Sequence, residues 1–151
     1  MTLLALWLGT FGVCVVGAVV PFVNTEIYLL SVSALSPRAF VAPLVVAATV
    51  GQMTGKVAMF YAGRGVLRIR GERLRGGLAA LRARLEARPT AAKLVLFGSA
   101  TVGVPPLYLM TVACGAVGMG IVPFVVIGTV GRLIHFTVVA LLPQYAKWLL
   151  G

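Results

Sequence analysis

Glu26, Lys56, Arg132 and His135 stand inside otherwise apolar runs of a 151-residue chain. A charge at the centre of a bilayer costs at least about 2.5 kcal/mol on insertion scales, so such residues carry a functional hypothesis by default. Glu26 is one of three acidic residues and lies two positions after Asn24 and five after Pro21. Low dielectric favours its protonated form and a nearby cation its carboxylate, a combination that suits a proton carrier. A structural ion pair, or a carboxylate at a helix N-terminus, is the plainer alternative. Arg132 lies midway along the run Ile121–Leu142. Its planar fork suits two-point binding of phosphate or carboxylate, so it either holds a lipid phosphate or pairs with Glu26. His135, three residues on, shares a helical face with it and is a candidate proton relay or a histidine satisfied within the protein. Lys56 is a further candidate for an anionic headgroup, or snorkels from the end of its helix. Arg64 has the same two readings, as a headgroup ligand or as an ordinary loop-anchoring arginine.

Other chemistry is poorly supplied. The chain has one histidine and no aspartate, and Glu72 and Glu86 fall in a basic segment. That removes most hydrolytic triads, paired-carboxylate sites and carboxylate-rich metal sites, and no phosphate-cradling glycine loop is followed by Lys and Ser/Thr. Cys14 and Cys114 are isolated in apolar runs and read as small core residues. The chain is therefore not expected to be an enzyme or to hold a metal or cofactor.

Composition points to a membrane: 60% of residues are hydrophobic and 11% charged. Thr2–Val20, Phe40–Ala62, Leu94–Met119 and Ile121–Leu142 approach or exceed the roughly 20 apolar residues of a spanning helix. The first run lacks the basic start and cleavage site of a signal peptide and is expected to be retained. The net charge of +10 is concentrated, with nine of thirteen basic residues between Arg64 and Lys93. No aromatic residue interleaves those charges, so nucleic acid is not expected as a partner. Beside membrane spans the cluster marks a cytoplasmic loop. Leu67, Leu74, Leu78, Leu81 and Leu85 share one helical face, which predicts a basic amphipathic helix on an anionic leaflet; a solvated linker is the alternative.

The two halves repeat a plan. An apolar run ends at Pro21, a short segment follows to Leu35, and a long helix carries Ala47, Gly51 and Gly55 at four-residue spacing, a stripe for close helix packing. Leu94–Val104 likewise ends at Pro105 and Pro106, followed by Leu107–Gly118 and the Ile121–Leu142 span. Residues 22–35 give about 21 Å of helix, too short to cross comfortably. Interrupted segments at matching places in two halves point to a repeat-built transporter. The expectation is an all-α polytopic membrane protein forming one domain, 1–151. It comprises two inverted repeats (1–62 and 94–151), each a re-entrant helical hairpin followed by a transmembrane helix, around a basic cytoplasmic segment, 63–93. Both termini would then lie outside; four or more crossing helices are the alternative.

The segment Pro21-Phe22-Val23-Asn24-Thr25-Glu26 resembles the proline-and-acid re-entrant motif of the DedA superfamily. Gly51-Gln52-Met53-Thr54-Gly55 with Tyr61-Ala62-Gly63-Arg64-Gly65 is similar to its G-x-x-x-G…Y-x-x-G-R-x-G segment. Phe97, Pro105-Pro106, Gly115, Gly118, Phe124 and Gly131-Arg132 resemble its second hairpin and last helix. The likeness spans nearly the whole chain and looks most like the short YqaA-type branch. It implies paired re-entrant hairpins and lipid transport: bacterial members recycle undecaprenyl phosphate at the inner membrane, and eukaryotic relatives with the same domain, the VTT (SNARE-associated Golgi) proteins, scramble phospholipids. By that match Glu26 is the membrane acid and Arg64 the G-R arginine. A flippase or scramblase for an anionic lipid, polyprenyl phosphate or phospholipid, is the resulting expectation. Glu26 would couple it to protons, and Asn24, Lys56, Arg64, Arg132 and His135 would meet the headgroup. Lipids and protons are the expected partners, with a second copy of the chain as a further candidate. A non-transporting assembly subunit and a proton-coupled small-solute exporter are the alternatives.

Overall fold

Asn24 opens a helix in the way its side chain allows. Its backbone is extended (φ −79°, ψ 97°), and its Oδ1 accepts the amide N–H of Glu26 at 3.0 Å and of Ile27 at 3.1 Å. Two donors that a helix start leaves orphaned are thereby satisfied. The computed structural model describes residues 3–20, 22–69, 79, 83, 86–104 and 106–150, without the side chains of residues 3, 66–69, 147 and 150. Pro21, Pro105 and, of the leucine face expected in the basic segment, Leu74, Leu78, Leu81 and Leu85 lie outside the described residues, while Leu67 falls in the last turns of α3.

The elements are α1 (Leu3–Val19), α2 (Thr25–Leu35), a 3-10 turn (Arg38–Phe40), α3 (Val41–Ile69), α4 (Pro89–Val102), α5 (Leu107–Ala116) and α6 (Ile121–Leu150). Among the described residues there is no strand. Two helical stretches are long and apolar enough to cross a membrane, Arg38–Gly65 with 28 residues and Ile121–Ala146 with 26. α2, at 11 residues, is about 16 Å long and falls short of that.

Some boundaries differ from the sequence reading. α4 begins at Pro89 rather than near Leu94, because proline in a first turn forfeits only an amide that has no partner there. It ends where Gly103 adopts φ 86° and donates its N–H to the Ser99 carbonyl at 3.0 Å, a left-handed cap that favours glycine. α6 does not stop at Leu142 but runs through Pro143. A proline removes one rung of the ladder, and the helix ends there only if nothing else holds its continuation.

The chain divides into two compact units, Met1–Gly55 with Arg132–Gly151, and Lys56–Gly131. The division therefore falls inside α3 and α6 rather than between sequence halves. In the first unit α1 and α2 run antiparallel: Gly17 meets Thr25, and farther along Thr10 Oγ1 lies 3.3 Å from the Tyr28 hydroxyl. α1 and α3 run parallel, with Gly51 over Phe11 and Gly55 over Val15 and Ala18. A Cβ on Gly51 would come within 2.5 Å of the Phe11 carbonyl oxygen, so this approach needs glycine. α2 and the later part of α6 are also parallel, since Glu26 meets His135 and Ser33 meets Gln144. Cys14, Leu29, Leu44, Ala48, Phe136 and Ala140 form the core these helices share.

In the second unit Phe60 stacks on Phe124 with ring centroids 4.8 Å apart. The backbones of α3 and α5 touch at two glycines, because a Cβ on Gly115 would run into the Phe60 carbonyl and one on Gly63 into that of Val112.

Candidate functional site

The Asn24 cap places Glu26 in the first turn of α2, where the helix dipole favours negative charge. α6 carries Arg132 and His135 three residues apart, hence on one face. What brings these two helices into register is a tie at their far end. Gln144, buried on α6, donates its Nε2 to the carbonyls of Ser33 at 2.8 Å and Ser36 at 3.3 Å. Arg38 adds a long bond from Nη2 to the Gln144 carbonyl at 3.5 Å. The Ser33–Gln144 bond lies seven residues along α2 from Glu26 and nine along α6 from His135, so the opposite ends of one short parallel contact are held.

At the near end Glu26 Oε1 lies 2.9 Å from His135 Nε2 and 3.8 Å from Arg132 Nη1. A carboxylate can only accept, so His135 Nε2–H is the donor in this pair. Exposure is uneven. The side chain of Arg132 is 7% accessible, that of His135 15% and that of Glu26 49%. The guanidinium carbon of Arg132 sits 5.6 Å from the Phe136 ring centroid. Its Nε and Nη1 are buried and have no hydrogen-bond partner. Each such orphaned donor costs about 1–3 kcal/mol. The 3.8 Å ion pair, reaching a half-exposed acid, returns only about 0.5–1 kcal/mol. The site is thus a buried cation with unused donors beside a half-exposed acid.

The other sequence candidates are distributed differently. Asn24 belongs to this unit, but its Oδ1 is committed to the cap. Lys56 is 4% accessible and belongs to the other unit. Arg64 is there too, donating Nη2 to the Met119 carbonyl at 2.7 Å, with its guanidinium 5.0 Å from the Phe60 centroid and 5.8 Å from that of Tyr61. That bond secures the turn after α5. Pro106 immediately precedes α5 and starts it without a side-chain cap. Gln144 escaped the sequence reading, although a glutamine just beyond Pro143 in an apolar stretch is the type of residue that pairs within a membrane. Thr25 Oγ1 and Gln52 Oε1 are two further buried atoms without a hydrogen bond.

The second unit also contains an apolar groove of about 530 Å³ lined by Val95, Met110, Val117 and Pro123, with Arg88 and Lys93 among its other lining residues. Among the described residues no three His, Cys, Asp or Glu side chains gather as a metal would require. No protein-family model, curated protein or solved structure matches the chain.

Proposed function

We propose that the protein is a bacterial inner-membrane lipid transporter of the DedA type, a flippase or scramblase moving an anionic lipid between leaflets. In this reading α3 and α6 cross the bilayer. The α1–α2 and α4–α5 pairs are re-entrant hairpins of inverted repeats, and the basic segment 63–93 faces the cytoplasm. The observation that carries it is the cluster of Glu26, His135 and Arg132: an acid at the start of a short apolar helix, half open, against a buried arginine with unpaired donors. Such a group is expensive in lipid and is retained where an anion or proton is handled.

Two further features support the reading. α2 is parallel to α6, as required if a hairpin entering from outside returns outward beside a helix leaving the cytoplasm. Val122, Val126, Val130, Ile134, Val138 and Leu142 form a stripe on α6, each between 42% and 69% accessible. A stripe of that length suits contact with acyl chains. Polyprenyl phosphate and phospholipid both offer an anionic headgroup for Arg132 and an apolar tail for such surfaces, and Glu26 would couple their movement to protons.

The test is reconstitution in liposomes carrying a headgroup-quenchable anionic lipid. Transbilayer movement above that of empty vesicles is expected, and loss of that excess in Arg132→Gln. Movement no faster than in empty vesicles, for several anionic lipids, would sink the proposal. The Glu26–Arg132 ion pair also favours a second reading, a non-transporting assembly subunit. Exchanging the two residues (E26R/R132E) discriminates, because full function in the exchanged protein supports a structural pair and a carrier would not survive it.

A further inference from the structure

We infer that the Glu26 carboxylate is an internal occupant of an oxyanion site built by Arg132 and His135, and that the transported anion binds by displacing it. The inference rests on the lipid-transport reading and specifies how the same site takes its ligand. Three observations carry it. Arg132 is buried yet leaves Nε and Nη1 without hydrogen bonds, so the guanidinium keeps donors that Glu26 does not satisfy. Glu26 approaches Arg132 only to 3.8 Å and spends its short bond, 2.9 Å, on His135. Its side chain is also the most exposed of the three, which makes it the member that can leave without opening the core.

A phosphate monoester matches these donors chemically better than the carboxylate does. It presents more acceptor oxygens, enough to take two donors from the arginine fork and one from His135 Nε2. The amino terminus of α2 adds a partial positive charge where the anion would lie. Two anions cannot share one arginine and one histidine at this range without strong repulsion, so binding is an exchange rather than an addition. In this unit the other charged residues are Arg38, which bonds to the Gln144 carbonyl at the far end of α2, and Lys147, three positions beyond Gln144 on α6. The vacated carboxylate, already half-exposed, becomes the group available to water and to a proton.

The experiment is calorimetric titration of the full chain in detergent with decyl phosphate, and in parallel with inorganic phosphate. Glu26→Gln keeps the side chain's shape and removes the competing charge, so decyl phosphate is expected to bind about tenfold more tightly to it than to the wild type. Adding Arg132→Gln to that variant is expected to abolish the gain. Equal or weaker binding by Glu26→Gln would overturn the exchange while leaving a lipid transporter standing, and no binding of either probe to any variant would overturn both. Inorganic phosphate binding as tightly as decyl phosphate, with the same gain, would support the exchange and assign it to a free anion instead of a headgroup. A wild-type measurement covers the case in which the variant does not fold. Infrared difference spectra on adding decyl phosphate should show the carboxylate stretch of Glu26 changing, and an unchanged band in the presence of bound ligand refutes displacement.

Discussion

The coupling between Glu26 and His135 should exceed that between Glu26 and Arg132, although the arginine carries the permanent charge. The His135–Glu26 contact is 2.9 Å, a charge-assisted hydrogen bond, whereas Arg132 Nη1 stands at 3.8 Å and makes no hydrogen bond. A hydrogen bond to a charged group contributes about 1.5–3 kcal/mol. Glu26 is 49% accessible, and solvent screening brings the expected coupling down to about 1–1.5 kcal/mol. The longer arginine pair has only screened attraction, about 0.5 kcal/mol. The assay is a pair of double-mutant cycles on unfolding in mixed micelles, one with E26A and H135A, the other with E26A and R132M. The cycle isolates the pair from the separate cost of each deletion. A His135 coupling below about 0.3 kcal/mol would refute the short His135–Glu26 bond as the main tie, and an Arg132 coupling larger than it would show that the acid belongs to the arginine.

Two substitutions of glycine by alanine should have opposite signs. Gly51→Ala drives a methyl group against the backbone carbonyl of Phe11, which cannot rotate away, and should destabilise by about 1–3 kcal/mol. Gly9→Ala, in α1 with nothing within 4 Å of the new carbon, should stabilise by about 0.5–1 kcal/mol through helix propensity alone; thermal melts in detergent read both. Asn24→Ala removes the cap on α2 and should cost about 1 kcal/mol. Because that cap orients the turn bearing Glu26, amide exchange at Glu26 and Ile27 should quicken in the variant, and unchanged protection would refute the role.

The breaks between short helices were legible because their causes are local. The Asn24 cap, and Pro106 ahead of Leu107, act on their own backbone within a turn. The apolar lengths of α3 and α6 were legible for the same reason, as hydropathy is a property of a window. Boundaries were less so: Pro89 lies outside the apolar run it begins, and α6 continues past a proline that a local rule treats as a stop. Arg64 shows what reading by type omits: its Nη2 bonds the Met119 carbonyl 55 residues away, a partner that no local pattern names.

By itself the sequence determined that this chain is helical and apolar and interrupted ahead of α2 and α5, and it singled out Glu26, Lys56, Arg132 and His135 as ionisable residues inside apolar runs. Each of those statements follows from residue chemistry and local spacing. Only the tertiary structure decided that Glu26 meets His135 across 109 positions, and that Gln144 sets the register that lets it do so. Pairing over that distance depends on how α2 packs against α6, and no local pattern encodes a parallel contact between helices so far apart in the chain. The structure also decided that Arg132 is buried with two donors that make no hydrogen bond. Such donors are a property of the neighbours an arginine lacks, and those are fixed only when the helices close around it.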